Sequence, residues 1–448
     1  MIAADDRIVR ASTRETIELH FLSFVYGLYL IVRRFLRWIW DPKKFFMLQQ
    51  RDQPPPCLVD NSLGTHSYVK IKGVKFHYVE AGDKSKPLVL LLHGFPDCWL
   101  TWRKQIPCLA EHYRVVAIDL KGFGDSDKPL NKRSYKVEIL INELKQFILT
   151  LGVKTCNIIG HDLGGLLGWY MVTLHRDIVY KFVAISSPHP NFYWNRVSGN
   201  SALDRKWIHF SRLPFLPEID ALKEDLSIIN DIFQHLQISQ DSTEKSYVEA
   251  YKYAFSRKED WTGPINYYRN LQFTKLNIDS GEQIDNKTLL LVGNMDPFVT
   301  IESIIQSAEH VEVSRVKIIS EAQHFPHQEK SDAVNKAIIK FLIGTTNLTP
   351  SKTPAKSLVS SWLGSLSNTV KYGNQMIDAM HKRTNDIVNV LPNKALYLGQ
   401  TTSYFPKFSA SSIVSGNSQF IVSGKNKQST APIIGPNPNI TGGSQGWM

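Results

Sequence analysis

One stretch limits what this chain can fold into more than any other: Gly160-His161-Asp162-Leu163-Gly164-Gly165. In front of it, Asn157-Ile158-Ile159 reads as a short apolar strand, and behind it Leu166 to Val172 reads as a buried helix. Small residues on both sides let the chain turn sharply from strand to helix and lift the central side chain out of the sheet. The pattern is that of a nucleophile elbow, G-x-S-x-G, with Asp162 in place of the serine. Glycine-rich turns also bind phosphates, but this one lacks the Walker lysine and the spacing of G-x-G-x-x-G.

Around that turn the chain alternates strands with helices. Tyr68–Ile71 and Val74–Val79 read as a strand pair joined by Lys72-Gly73. Leu88–Leu92 is a continuous apolar run, as a strand buried on both faces requires. Arg114–Leu120, Lys181–Ser186, Thr288–Val292 and Val316–Ile319 complete the set, and Val137–Leu151 has helical spacing. This order predicts an α/β fold: a mostly parallel sheet flanked by helices, with its site at the carboxyl ends of the strands. Between Pro188 and about Gln283 the strand runs stop, and helical stretches follow at Ile219–Leu236 and Glu244–Phe255. That segment is too long for a loop and too aromatic for disorder, so it reads as an inserted helical cap.

The ends of the chain have a different character. Leu19 to Val32 carries no charged residue over 14 positions, about 21 Å of helix against a hydrocarbon core of about 30 Å. It reaches spanning length if it continues to Trp40 with Arg33, Arg34 and Arg37 snorkelling. A spanning anchor is the favoured reading and a helix lying in the interface its alternative; both attach the chain to a membrane. The net charge of +11 is uneven: +7 falls in residues 345–448, and +2 each in 1–60 and 61–344. The nearly neutral middle therefore carries no nucleic-acid footprint. Four cysteines are too sparse for a disulfide framework or a zinc module. The expected organisation is a membrane anchor in 1–45, a linker in 46–65 and a catalytic domain in 66–344 with its cap at about 190–283. A tail in 345–448, rich in Ser, Thr, Asn, Gly and Pro, is expected to be mostly disordered.

Asp162 needs a base, an orienting acid and oxyanion donors. Asp296 follows the strand at Leu289–Val292, and His324 follows the strand at Val316–Ile319, giving the chain order nucleophile, acid, histidine. His93-Gly94-Phe95-Pro96 follows Leu88–Leu92, and the Phe95–Pro96 bond is a candidate cis bond. The backbone N–H groups of Phe95 and Leu163 are the expected oxyanion hole. A carboxylate that attacked an ester would only make an anhydride. Against an sp³ carbon with a strained or good leaving group it makes a stable alkyl ester, whose carbonyl water activated by His324 can then attack. That chemistry points to epoxides or alkyl halides.

His93-Gly-Phe-Pro96, Gly160–Gly165, Ser186-Ser-Pro-His-Pro-Asn191, Glu249-Ala-Tyr-Lys-Tyr253 and Thr262-Gly-Pro-Ile-Asn-Tyr-Tyr-Arg-Asn270 together resemble the α/β-hydrolase epoxide hydrolases, most of all their membrane-anchored animal branch. The resemblance covers about residues 66–343. It implies ring opening of a lipophilic epoxide, such as an epoxy fatty acid, at a membrane such as the endoplasmic reticulum, without cofactor or metal. It also implies two cap tyrosines that donate to the epoxide oxygen. Tyr268 matches one of them. At the other position the count back from Leu213-Pro-Phe-Leu-Pro-Glu218 reaches Trp207, with His209 as a nearby donor. Leu163 stands where many relatives have tryptophan, which also argues against a haloalkane dehalogenase. His93 and Pro96 join Trp207 and His209 as expected substrate contacts. The alternatives are a dehalogenase-like hydrolase and a catalytically silent member that binds a lipid or a protein.

Overall fold

The structure, a computed structural model, describes residues 7–45, 47–193, 206–239, 241–271, 274–277 and 283–344, with the backbone alone at 206–208. The tail at 345–448 and the Trp207 side chain therefore lie outside the described residues.

The core is an eight-stranded sheet. In chain order its strands are β2 (Thr65–Ile71), β3 (Val74–Ala81), β4 (Leu88–Leu92), β5 (Arg114–Ile118), β6 (Cys156–His161), β7 (Val179–Ile185), β9 (Lys287–Gly293) and β10 (Ser314–Ile319). Across the sheet the order is β10-β9-β7-β6-β4-β5-β3-β2. Every pairing from β5 to β10 is parallel, while β2–β3 and β3–β5 are antiparallel. The run Leu88–Leu92 is at most 1% exposed along its whole length, the burial that parallel strands covered on both faces produce. Because the parallel strands share one direction, the loops after β4, β6, β7, β9 and β10 gather at one edge.

Two further strands were not legible in the sequence. β1 (Ile8–Arg10) pairs antiparallel with β8 (Thr274–Leu276), Ile8 opposite Leu276. Three residues are too few to show a period, and their pairing joins distant parts of the chain. The Arg7 guanidinium adds bonds to the carbonyls of Thr173 and Leu174 at 2.7 and 3.3 Å.

From β1 the chain enters one helix, Thr13–Trp40, of 28 residues. Ser12 and Glu15 form a capping box that satisfies the first free N–H groups, and Pro42 follows its end. Only Ser23 and Gly27 are buried along it. They face the helix Lys206–Arg212 and the turn after it: a Cβ on Gly27 would stand 2.7 Å from Leu213 Cδ2. Farther along, Arg34 pairs with Asp220 and Arg37 with Glu224.

Between β7 and β8 the described chain is helical: Pro190–Tyr193, Lys206–Arg212, Leu216–Ala221, Lys223–Ile232, Gln234–Gln237, Ser242–Ala254 and Glu259–Leu271. The expected helical stretch Ile219–Leu236 is broken. Glu224, Asp225 and Leu226 have φ of 51, 52 and 61°, a region costly for residues other than glycine. The break is held by long-range bonds: the Arg51 guanidinium reaches both Asp225 carboxylate oxygens at 2.8 and 2.9 Å, and the Asp225 N–H donates to Met47 O at 2.7 Å. The proline-flanked linker is thus clasped against the inserted helices by its Met47–Arg51 part.

Candidate active site

The elbow forms as its glycines require. Asp162 has φ of 44° at the junction of β6 and the helix Asp162–Leu174, a strained value that tight packing on every side must hold. A Cβ on Gly164 would stand 2.2 Å from Leu92 O, and one on Gly94 would stand 2.7 Å from His161 Nδ1 and 3.1 Å from Asp162 Cβ. Only glycine lets the elbow helix and the His93–Pro96 turn close on each other this tightly. Phe95, Leu163 and Asp162 are thereby neighbours at the ends of β4 and β6, and the Phe95–Pro96 bond is cis.

His324 and Asp296 meet beside them. Asp296, after β9, lies 3.0 and 3.1 Å from His324 Nδ1 through its two carboxylate oxygens. Its Oδ1 also accepts the N–H groups of Phe298 and Val299 at 2.9 and 3.0 Å. Burial alone would raise this carboxyl, but the His324 ring and those N–H groups hold it below its ordinary value. The opposite ring nitrogen, His324 Nε2, faces Asp162 Oδ1 at 3.9 Å, beyond hydrogen-bond reach. The His324 loop is tied from below: Glu329 accepts from the N–H groups of Gln323 and Phe325 at 2.7 and 3.0 Å, and His161 Nε2 meets His324 O at 2.9 Å.

Both ring nitrogens of His93, an expected substrate contact, are hydrogen-bonded within the protein. The Leu120 N–H donates to its Nε2 at 3.0 Å, so the proton sits on Nδ1, which donates to Gly94 O at 2.8 Å. Burial pushes its pKa down to about 4, and the neutral ring braces the turn that carries Phe95. His209 likewise turns Nδ1 toward Ser23 Oγ of the N-terminal helix at 3.3 Å.

Tyr268 enters from the other side, on the helix Glu259–Leu271. It is 3% exposed and packs edge-on against Phe95 with ring centroids 5.2 Å apart. Its neighbours in sequence fix it in two directions. The Tyr267 hydroxyl donates to Lys121 O on the sheet side at 3.0 Å. Arg269 reaches the cap side, binding Glu218 at 2.7 and 3.2 Å and the carbonyls of Ser211 and Leu213 at 2.8 and 2.7 Å.

One neighbour of Asp162 was missed in the sequence. Tyr193, fully buried, donates its hydroxyl to Asp162 Oδ1 at 2.8 Å. It ends the turn that leaves β7, and only that position, past a parallel strand's carboxyl end, could have signalled it.

Among the described residues one group has metal-ligating geometry: Asp97, His161 and His327, whose donor atoms lie within 4.8 Å of one another. Asp97 Oδ2, His161 Nδ1 and His327 Nδ1 are buried without a protein partner. Burial raises Asp97 to about 7 and lowers His161 to about 3.

An aspartate on an elbow, faced by a histidine–aspartate pair, stands at the strand ends of a mostly parallel α/β sheet, the architecture of the α/β hydrolases. The family model described as alpha/beta hydrolase fold matches residues 87–331. The chain is 38% identical over 322 residues to Epoxide hydrolase 4 of Homo sapiens, covering 68% of this chain and 88% of that protein. Epoxide hydrolase 3 of Xenopus tropicalis is 37% identical over 310 residues, with 67% and 84% covered. A crystal structure of Bacillus megaterium epoxide hydrolase with an inhibitor aligns at a TM-score of 0.55 and 26% identity, over 62% of this chain and all of that one. This chain belongs to the epoxide hydrolases of the α/β-hydrolase fold.

Proposed function

We propose that the chain converts lipophilic epoxides, epoxy fatty acids among them, to vicinal diols through an alkyl ester on Asp162. The observation that carries this reading is the 3.9 Å gap between His324 Nε2 and Asp162 Oδ1. A serine nucleophile must give its proton to the histidine through a hydrogen bond. An aspartate has no proton to give, so the histidine is left to act on water.

In the first step a carboxylate oxygen of Asp162 bonds to an epoxide carbon. The carbon–oxygen bond of the ring breaks, and the ring oxygen takes the proton of the Tyr268 hydroxyl. In the second step His324 removes a proton from water, whose oxygen attacks Cγ of Asp162 while the N–H groups of Phe95 and Leu163 hold the oxyanion. The ester bond breaks, the departing alkoxide is protonated by the His324 imidazolium, and the second water proton restores Tyr268. Asp296 keeps the imidazole oriented and stabilises its charge. Trp207 stands at the position of the second donor. Pro96, next to Phe95 in the same turn, is a further substrate contact on this reading.

The membrane reading is sharpened by the N-terminal helix. Residues 7–10 before it, Arg34 in its last two turns and Arg51 after it hold the same hydrolase body, through β1–β8, Arg34–Asp220 and Arg51–Asp225. A helix tied at both ends to one body favours lying in the membrane plane over crossing it. Phe21, Phe24, Leu28, Val32, Leu36 and Ile39 are each more than half exposed along it, an apolar surface suited to lipid. The resemblance to the anchored animal branch supports the endoplasmic reticulum as that membrane.

A single turnover in heavy-oxygen water tests the reaction: the label should enter Asp162 and not the diol. Label appearing first in the diol would mean direct attack of water and would end this reading.

A further inference from the structure

We propose that Tyr193 is a catalytic residue of the second half-reaction, donating a hydrogen bond to Asp162 through the hydrolysis of its ester. The inference rests on the covalent reading above.

The placement is built, not incidental. The turn that presents Tyr193 is fastened at every residue from Ser187 to Asn191 that has a polar side chain. Ser187 Oγ donates to the Asp162 carbonyl at 2.7 Å, and Ser187 O accepts the Trp169 indole N–H at 3.0 Å. The His189 N–H donates to Ser307 Oγ at 2.8 Å, and His189 O accepts the Tyr193 N–H at 2.8 Å. Asn191 exchanges two bonds of 2.9 Å with the backbone of Leu276 in β8. The result is a fully buried phenol 2.8 Å from Asp162 Oδ1. An ionised carboxylate only accepts, so the phenol is the donor.

The chemistry follows from what each state of Asp162 asks of a donor. In the free carboxylate the bond stabilises the charge and slightly weakens the nucleophile, so it gives alkylation no help. In the ester, donation to either oxygen draws electron density from Cγ and favours attack by water. If Oδ1 is the carbonyl oxygen, Tyr193 adds a donor to the Phe95 and Leu163 N–H groups. If Oδ1 bears the alkyl group, Tyr193 steadies it as the bond to Cγ breaks. Both cases assist the same step. The two phenols of the site thus divide the reaction: Tyr268 serves ring opening, and Tyr193 serves ester hydrolysis.

Rapid-quench mass spectrometry of the Asp162 peptide, with the epoxide of oleic acid as substrate, separates the two steps. Tyr193→Phe should form the ester at a rate within about threefold of wild type and hydrolyse it about ten- to a hundredfold more slowly, so that the alkylated peptide accumulates. Tyr193→3-fluorotyrosine keeps the shape and strengthens the donor, and should speed hydrolysis relative to Phe at least to the wild-type rate. Slowed alkylation with unchanged hydrolysis would overturn the assignment, as would hydrolysis at the wild-type rate in Tyr193→Phe. A wild-type chain that turns over epoxide without ever carrying the ester would instead overturn the covalent mechanism itself.

Discussion

The strand-end half of the site and the cap half are held by different kinds of interaction. At the strand ends, Asp162, Asp296 and His324 each sit within a few residues of a parallel strand whose position the sheet dictates. Much of their support is short-range turn geometry and backbone N–H groups, as at Asp296 with Phe298 and Val299. In the cap, Tyr268 is placed by its flanking residues reaching Lys121, Glu218, Ser211 and Leu213, and the cap itself leans on the N-terminal helix through His209 and Asp220. One half is positioned by the sheet. The other depends on side chains that tie separate elements together, so substitutions should affect the two halves differently.

The largest effect belongs to the strand-end half. Asp162→Ala should lower diol formation by about ten-thousandfold or more, while His324→Gln should still form the ester and trap it. Diol turnover by Asp162→Ala near the wild-type rate would move the chemistry elsewhere. Next comes the cap: Tyr268→Phe should slow alkylation about a hundredfold or more, the usual cost of one preorganised donor. Unchanged alkylation there would mean that another cap donor opens the ring.

Acidification probes the burial of the strand-end half. Burial holds His93 at about 4 and His161 at about 3, and it depresses His189 and His327 well below the ordinary histidine value. The folded state keeps these rings neutral, whereas the unfolded chain protonates its histidines below about 6.5. Below that pH the unfolded state binds more protons, so stability falls as pH falls. The melting temperature should therefore be flat above about pH 7 and drop progressively toward pH 5. A melting temperature unchanged between pH 7.5 and 5 would show that these rings are not buried as described.

The smallest effect on chemistry belongs to the contact between cap and N-terminal helix. Arg34→Ala leaves Asp220 with Lys223 at 3.1 Å, so the loss should be about 1 kcal/mol, a few degrees in melting temperature. Alkylation by this variant should stay within about threefold of wild type. Release of the variant from liposomes would show that the helix needs this clasp to hold its lipid-facing orientation.

Much of the strand-end half was legible in the sequence because each of its signals is local. A strand buried on both faces must be apolar throughout, as Leu88–Leu92 is, and a sharp strand-to-helix turn must be rich in glycine, as Gly160–Gly165 is. The order Asp162, Asp296, His324 follows from the order of the strands that carry them. The cap was legible from its own residues as helix and aromatic content, with Tyr268 found through the family resemblance, and its break at Glu224–Leu226 was not, because nothing local disfavours a continuous helix there.

What the sequence determined by itself was the sheet and the elbow with a carboxylate at its centre, since these follow from patterns a few residues long. What only the tertiary structure decided was which side chains meet across the fold. Tyr193 reaches Asp162 across 31 positions, and Ser23 reaches His209 across 186. The His93 ring, two residues from Phe95, proved to be spent on Leu120 and Gly94. A hydrogen bond depends on the direction and burial of both partners, and for partners on different elements those are set by the packing of the whole domain and by no pattern in either segment.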